Sequence, residues 1–507
     1  MDQSEVISIT LICYQIILIA IGIWASRKIV TNEDFLIGGK QLGPWVAGLS
    51  YAASTSSAWV LLGFSGFVFL YGYSALWLIP GIWAGYVFMW LVLGPSIRKN
   101  SKINNWITPT DFISANLKEN NKRNLAILSA CLISFCFIFY IAAQFEAAAD
   151  TLSSNFDFNQ ETGLLLGSLI ILIYCLMGGF WAASLTDSMQ AVVMVFAAIS
   201  VSLMTYHEAG GYQEIINSIS SYNQNYIDWF GGQPGFLWIG FILGAIGIGL
   251  GTFGQPHLLT RLMAVKGDKE LSMGFRIAFV WVITIYIAMA VLGLSARSIL
   301  GEINPEKEIF YLLAENVLPP VLAGIVIASV LSAIMSTVDS LLLASSSAIS
   351  HDLKLREYFP LNELIISRIV MALIVLVAMI IAWVIPDGLF NRVLFAWSAL
   401  GAAFGAIVVA RVLGYEPPYK ARKFSILAGF FSTVLFYTFG TSDFSGSSNV
   451  LIKNLHFLST LPGDPFERFV PLLISCLIIF IYLKNADLVK ERPNLKSIRD
   501  AVKRSKE

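Results

Sequence analysis

The residues of this chain whose types and spacing could do chemistry cluster near position 336. The stretch Ser332-Ala-Ile-Met-Ser-Thr-Val-Asp-Ser340 puts Ala333, Ser336, Thr337 and Ser340 on one helical face. A carbonyl and two hydroxyls there, opposite carbonyls freed from an unwound partner, would make a small cage of oxygens. Hard, neutral oxygens suit Na+ and offer nothing to a soft metal. Asp339 lies beside them in an apolar segment, where an unpaired carboxylate costs about 3 kcal/mol, so a cation or proton is its expected partner. Asp187 is the other acid near a membrane end. Thr186-Asp187-Ser188 opens an apolar segment, so a helix cap is the alternative reading there.

Two further stretches could supply the unwound partner. From Gln41 to Ile97 the chain has no charged residue and no histidine, yet Ser54, Thr55, Ser56 and Ser57 stand in a row. Hydroxyls bond the backbone in place of the helical ladder, and backbone freed at membrane depth must face something polar. The second stretch carries Gly240, Gly244, Gly247, Gly249, Gly251 and Gly254 ahead of Pro256. Each glycine costs a helix roughly 1 kcal/mol relative to alanine. Both stretches have an alternative reading as close helix packing through small residues. Their separation by five spans favours an inverted repeat with two interrupted helices. In the fourth span, Tyr140 and Gln144 lie one turn apart and could line a cavity. Glu146 and Asp150 close that span and read as interfacial. Trp59, just past the serine run, could cover a small solute.

The elements that must position these residues are membrane helices. The chain has 507 residues, 56% of them hydrophobic and 13% charged, with mean hydropathy +0.72. Soluble domains carry about a quarter charged residues, so this is an all-α polytopic membrane protein. About thirteen spans are expected. They include Val6–Trp24, Pro44–Tyr71, Leu125–Asp150, Gly163–Trp181, Ser188–Tyr206, Phe236–His257 and Pro320–Ser350, with Ser425–Phe439 the weakest. The first is long enough to span and follows an acid, so no cleavable leader is expected. The divisions are 1–40 (an extra helix and inner loop), 41–210 and 235–413 (two five-helix repeats), 414–484 (two extra helices) and 485–507 (a tail). The segment 207–235 is expected to form a short surface helix.

With the N-terminus outside, 26 of the 33 basic residues fall in inner loops or the tail, Arg261 among them. That bias sets the C-terminus in the cytoplasm. Net charge is zero, which leaves no nucleic-acid footprint. The five cysteines lie in apolar segments and read as buried packing residues. An intramembrane enzyme would need a nucleophile or metal set. His207, His351 and His456 are expected in loops and His257 at an inner end, and there is no HExxH. A transporter-like sensor would need a signalling domain, against which the short tail argues.

Six stretches, in order, carry a resemblance. They are Ile37-Gly-Gly-Lys-Gln-Leu-Gly-Pro44, Leu49-Ser-Tyr-Ala-Ala-Ser54 leading to Ser57-Ala-Trp59, Thr186-Asp-Ser-Met-Gln190, Phe253-Gly-Gln-Pro-His257, Met335-Ser-Thr337 and Ala396-Trp-Ser-Ala-Leu-Gly-Ala-Ala-Phe-Gly405. On these the chain resembles the sodium:solute symporter family, and within it the proline-carrying branch. The resemblance implies a leucine-transporter-type core of five plus five inverted helices with extra terminal helices. It places the main sodium site on the backbone of Ala53, Ser56 and Ala333 and the hydroxyls of Ser336 and Thr337. A second sodium would fall on Asp187, Ser336, Asp339 and Ser340, and substrate positions on Ser57 and Trp59. The proline branch has an aspartate at Thr55, and a tryptophan and a tyrosine at Ile248 and Thr252. Lys40 replaces an arginine. The expected function is sodium-coupled uptake of a small organic solute across a bacterial inner membrane, by a protein acting as a monomer with Na+ as coupling ion and no cofactor. Proline or a related amino acid is the first candidate, and a monocarboxylate or sugar acid the alternative.

Overall fold

The computed structural model describes residues 3–27, 31–156, 158–301, 309–385 and 389–484; the tail expected at 485–507 lies outside them. The described chain is helical, with no strand and one isolated bridge between Leu42 and Val265. The long helices are α1 (Gln3–Ser26), α2 (Pro44–Thr55), α3 (Ser65–Tyr71), α4 (Leu78–Phe88), α5 (Glu119–Phe156), α6 (Gln160–Glu208), α7 (Leu237–Gly251), α8 (Pro256–Ala264), α9 (Asp268–Leu300), α10 (Pro320–Ser350), α11 (Glu363–Val384), α12 (Leu389–Val412), α13 (Tyr419–Thr441) and α14 (Val470–Lys484).

Among the described residues, ten helices are long and apolar enough to cross a membrane, and two shorter ones, Ile9–Trp24 and Gln160–Ile173, are also apolar. This differs from the thirteen expected spans where helices break or merge. One of the ten, Trp59–Asn104, joins half of the second expected span to the whole of the third. The fifth and sixth expected spans form α6, bent at Gly179 with φ 52° and ψ −168°. The weakest expected span is a full helix, α13. The segment 207–235 carries the expected surface helix, Tyr212–Tyr222.

Both interrupted helices are present, and each breaks for its own reason. In the first, Ser54 and Thr55 donate their hydroxyls back to the carbonyls of Ser50 (2.7 Å) and Tyr51 (2.6 Å), which closes the last turn of α2. The helix then stops at Ser56 (φ −111°, ψ 69°) and resumes with a wide turn at Trp59–Phe64. In the second, α7 ends in a tight turn, Thr252–Gly254, and Gln255 is extended (φ −80°, ψ 110°) before Pro256 opens α8. A residue before proline avoids the helical region, and proline has no N–H to continue the ladder.

The glycines do a different job from the one expected. None from 240 to 254 has positive φ; they let backbones touch. A Cβ on Gly249 would lie 1.9 Å from the Gly81 carbonyl, and one on Gly254 2.3 Å from that of Leu400. The break itself belongs to Gln255-Pro256. The start of the first interrupted helix and the end of the second are tied together, since Leu42 N–H donates to the Ala264 carbonyl and Lys266 N–H to that of Leu42, both at 3.1 Å.

The five cysteines are free, but only Cys136 and Cys175 are buried. Cys13, Cys131 and Cys476 are exposed, which corrects the packing reading. An apolar thiol on an outward helix face meets lipid as readily as core.

Candidate cation and solute sites

The helix α10 is almost entirely buried and carries Ala333, Ser336, Thr337, Asp339 and Ser340 past the break at Ser56. The Ser336 hydroxyl reaches across to the Ala53 carbonyl at 3.4 Å and back to the Ala333 carbonyl at 3.2 Å. Ala53 also accepts the Ser56 N–H at 3.1 Å. The hydroxyls of Thr337 and Ser56 are buried with no hydrogen-bond partner. A buried hydroxyl left unmatched costs about 1–3 kcal/mol. Two of them beside inward carbonyls, with no charge among the five residues, fit a small hard cation that takes oxygen ligands.

Asp187 and Asp339 lie in a second, charged cluster. Asp187 Oδ2 accepts from Ser50 Oγ (2.9 Å), Ser54 Oγ (3.3 Å) and Arg261 Nη2 (2.7 Å). Arg261 Nη2 also donates to Ser340 Oγ (2.6 Å), and its Nε to Ser50 Oγ (2.9 Å). The Ser340 hydroxyl lies 3.0 Å from Asp339 Oδ1 and donates to the Ser336 carbonyl at 2.5 Å. Asp187 Oδ1 and Asp339 Oδ2 are left without a donor. Asp187 is therefore no simple helix cap.

Arg261 is the residue the sequence reading missed, having placed it in an inner loop. It is 2% exposed. The cause is α8: Pro256 starts a new helix, which buries Arg261 one turn after His257, whose carbonyl accepts from its Nη1 at 3.2 Å. His257 is buried as well, edge-on to Phe137, and not at a solvent-facing end. The available signal was the spacing of His257 and Arg261 inside a stretch otherwise almost free of charge.

On the other side of the break, Thr55, Ser57, Trp59, Tyr140, Ile248 and Thr252 line one cavity, joined by Ile82, Tyr286, Val393, Leu394 and Trp397. The cavity is small, about 30 Å³. Ser57 Oγ accepts from the Trp59 N–H (3.2 Å) and the Tyr140 hydroxyl (3.3 Å). Gln144 lies one turn along α5 and does not line this cavity; it is buried with both amide atoms unmatched. Trp397 was also missed. Its Nε1 donates to the Ile248 carbonyl at 2.8 Å, and Gln255 Nε2 caps the carbonyls of Gly251 (3.0 Å) and Trp397 (2.8 Å). The Trp397 indole and the Gln255 amide thus take up carbonyls in the last turns of α7, and Gln255 ties that end to α12.

Glu146 is also not interfacial. It is buried and faces Arg392 Nη1 at 3.3 Å, and Arg392 directly precedes the cavity residues Val393 and Leu394. Asp150 is half-buried and accepts from Gln160 Nε2 at 2.7 Å.

Comparison with known proteins agrees with this architecture. Residues 35–413 match the model of the sodium:solute symporter family. The chain is 32% identical to a sodium/proline symporter of Salmonella typhimurium, over 87% of this chain and 90% of that one. It is likewise 32% identical to one from Escherichia coli, over 87% and 89%. Among solved structures, a Na+-coupled sialic acid symporter in a substrate-bound outward-open state superposes with a TM-score of 0.77. That match is 15% identical and covers 96% of this chain and 99% of the other. MhsT in complex with L-phenylalanine gives 0.52 at 13% identity, over 87% and 99%. These likenesses carry the fold, while the family match runs from the short helix Asn32–Ile37 ahead of α2 to the end of α12; the chain belongs to the sodium:solute symporter family.

Proposed function

We propose that this protein couples sodium entry to uptake of a small zwitterionic solute, proline or a related amino acid, across a bacterial inner membrane. The observation that carries this reading is one break with two faces. The Ala53 carbonyl meets the Ser336 hydroxyl, while Thr55, Ser57 and Trp59 turn into the solute cavity. The cage of Ala53, Ser56, Ala333, Ser336 and Thr337 takes the coupling sodium, and Asp187, Asp339 and Ser340 take a second one when Arg261 gives way. The relatives named as proline symporters support the substrate, and the small cavity supports it over a sugar acid.

In this mechanism sodium bridges α2 to α10 and so holds the broken helix in the shape that receives solute. The cavity has no charged lining residue, so a carboxylate is met by hydroxyls and by backbone freed at the break, where a helix N-terminus favours negative charge. The repeats 41–210 and 235–413 then rock to open inward. Each sodium descending a 100 mV potential supplies about 2.3 kcal/mol. The N-terminus faces outward, the C-terminus is cytoplasmic, and a single chain suffices.

A monocarboxylate is the second reading, favoured by the apolar side chains Ile82, Ile248, Val393 and Leu394 around the cavity. Uptake of labelled proline into proteoliposomes, with and without an inward sodium gradient, tests the proposal. Sodium-driven uptake competed by amino acids supports it. Uptake indifferent to sodium ends the coupling, and competition by monocarboxylates alone replaces the substrate.

A further inference from the structure

A second, much larger cavity runs along the outer edge of the helix bundle and belongs to neither site. It measures about 730 Å³, lies between α12 and α14, and is almost wholly apolar. Small residues of α12, Ala406 among them, make its floor, and Cys476 and Phe480 of α14 make one wall. From Leu472 at one end to Lys484 at the other, α14 rises about 18 Å, more than half the thickness of a hydrocarbon core.

The two ends of this groove differ in chemistry. At the inner end stands Lys484, the only charged residue lining it among the described residues. Phe424 stacks on Tyr482 with ring centroids 6.5 Å apart, which brings the first turn of α13, with exposed Lys420 and Lys423, alongside the last turn of α14. The acid nearest in sequence, Glu416, is engaged by Arg411 (2.7 Å) and Arg422 (3.0 Å). The rim is thus basic where the lipid headgroups lie. At the deep end the groove reaches Phe253, whose ring packs 4.7 Å from that of Phe88. Phe253 sits in the tight turn that presents Thr252 to the solute cavity.

An apolar slot of this length, open along a membrane-facing edge and closed by lysines at the headgroup level, matches one occupant. We propose that the groove binds an acyl chain of an anionic phospholipid from the cytoplasmic leaflet, headgroup on Lys484, and that this chain backs the broken turn at Thr252–Gly254. Anionic headgroups gain from each lysine near the surface, and the tail gains from leaving no void behind Phe253.

The test uses the full-length protein and needs no knowledge of the solute. The purified protein is put into vesicles of phosphatidylcholine alone, or with part of it replaced by phosphatidylglycerol. Retained lipid is read by native mass spectrometry, and hydrogen exchange is followed at residues 251–255. Phosphatidylglycerol is expected to remain bound and to slow exchange at that turn. Lys484→Gln should weaken the preference for phosphatidylglycerol roughly fivefold. Cys476→Trp, an exposed wall position that tolerates bulk, should abolish both retention and protection, and Ala406→Phe fills the floor as a second variant. Equal retention of phosphatidylcholine overturns the headgroup assignment. Retention and protection that survive both filling variants overturn the groove.

Discussion

Two oxygen-rich clusters lie within a few residues of each other on α10, and they are built on opposite plans. Around Ser336 and Thr337 there is no charge, and two buried hydroxyls have no partner. Around Asp187 and Asp339 there are two carboxyl groups, and a guanidinium is already bonded to Asp187 and to Ser340, the neighbour of Asp339. The neutral cluster is open to a cation because its own polar atoms cannot satisfy one another. The charged cluster sets two carboxyl groups against one tethered cation. Neutral ligands therefore set a sodium requirement by geometry, and charged ones by a balance that another cation can upset.

Arg261→Gln breaks that balance most severely. Removing one partner of a buried ion pair costs about 3–5 kcal/mol. If the charged cluster is a cation site held by Arg261, added sodium should restore much of the lost thermal stability, far more than it stabilises the parent. A loss of stability that sodium does not relieve would make Arg261 purely structural and erase the contrast between the clusters.

Ser336→Ala with Thr337→Ala comes next. Each removed oxygen forfeits about 1–3 kcal/mol, so the sodium concentration for half-maximal stabilisation should rise on the order of a hundredfold. Folding itself should change modestly, because Thr337 has no hydrogen-bond partner to lose and Ser336 gives up only its two long bonds to the Ala53 and Ala333 carbonyls. An unchanged sodium response would remove the neutral cage from the mechanism. Asp339→Asn has the smaller effect of the three. It removes the carboxyl oxygen a second cation would use, and charge moved per solute should fall by one without loss of transport; an unaltered ratio assigns Asp339 to structure.

How far the sequence led follows from this same geometry. Ser336, Thr337 and Ser340 lie on a regular helix, and regular spacing is readable. Thr55, Ser57, Trp59, Ile248 and Thr252 came from resemblance and converge on one cavity. Arg261 was misread because its burial depends on a helix restarting at Pro256, and Glu146 because its partner Arg392 lies 246 positions away. The glycine run was correctly placed at the second break but owes its density to backbone contacts with Gly81, Leu400 and Gly463. Which carbonyl or side chain lies opposite is a tertiary fact that no local pattern records.

A third cluster, outside the membrane, sharpens the comparison because its cation can be switched off. His351 follows α10, with Nδ1 3.4 Å from Glu363 of α11 and Nε2 3.8 Å from Asp111 of the short helix Pro109–Ser114. Asp352 is bonded by Thr108 at 2.7 Å, and Lys122 lies 3.9 Å from Asp111. Burial alone would lower the His351 pKa, but Asp111, Asp352 and Glu363 outweigh it and raise it to about 9 from 6.5. A cation whose folded pKa is raised adds stability that is complete below its unfolded value and lost as pH climbs through the folded one. Asp352, pushed up to about 7 by burial and by Asp111, costs stability as pH rises toward 7 and adds no slope above it, and Asp111 is held below the usual range and acts further on the acid side. Between neutrality and about pH 9, the slope therefore belongs to His351. Melting temperature should fall across that window by an amount worth about 1–2 kcal/mol, discounted for partial exposure. His351→Gln should flatten the curve. A His351→Gln protein that keeps the alkaline slope would show that this cluster, like the neutral cage, is held by something other than its charges.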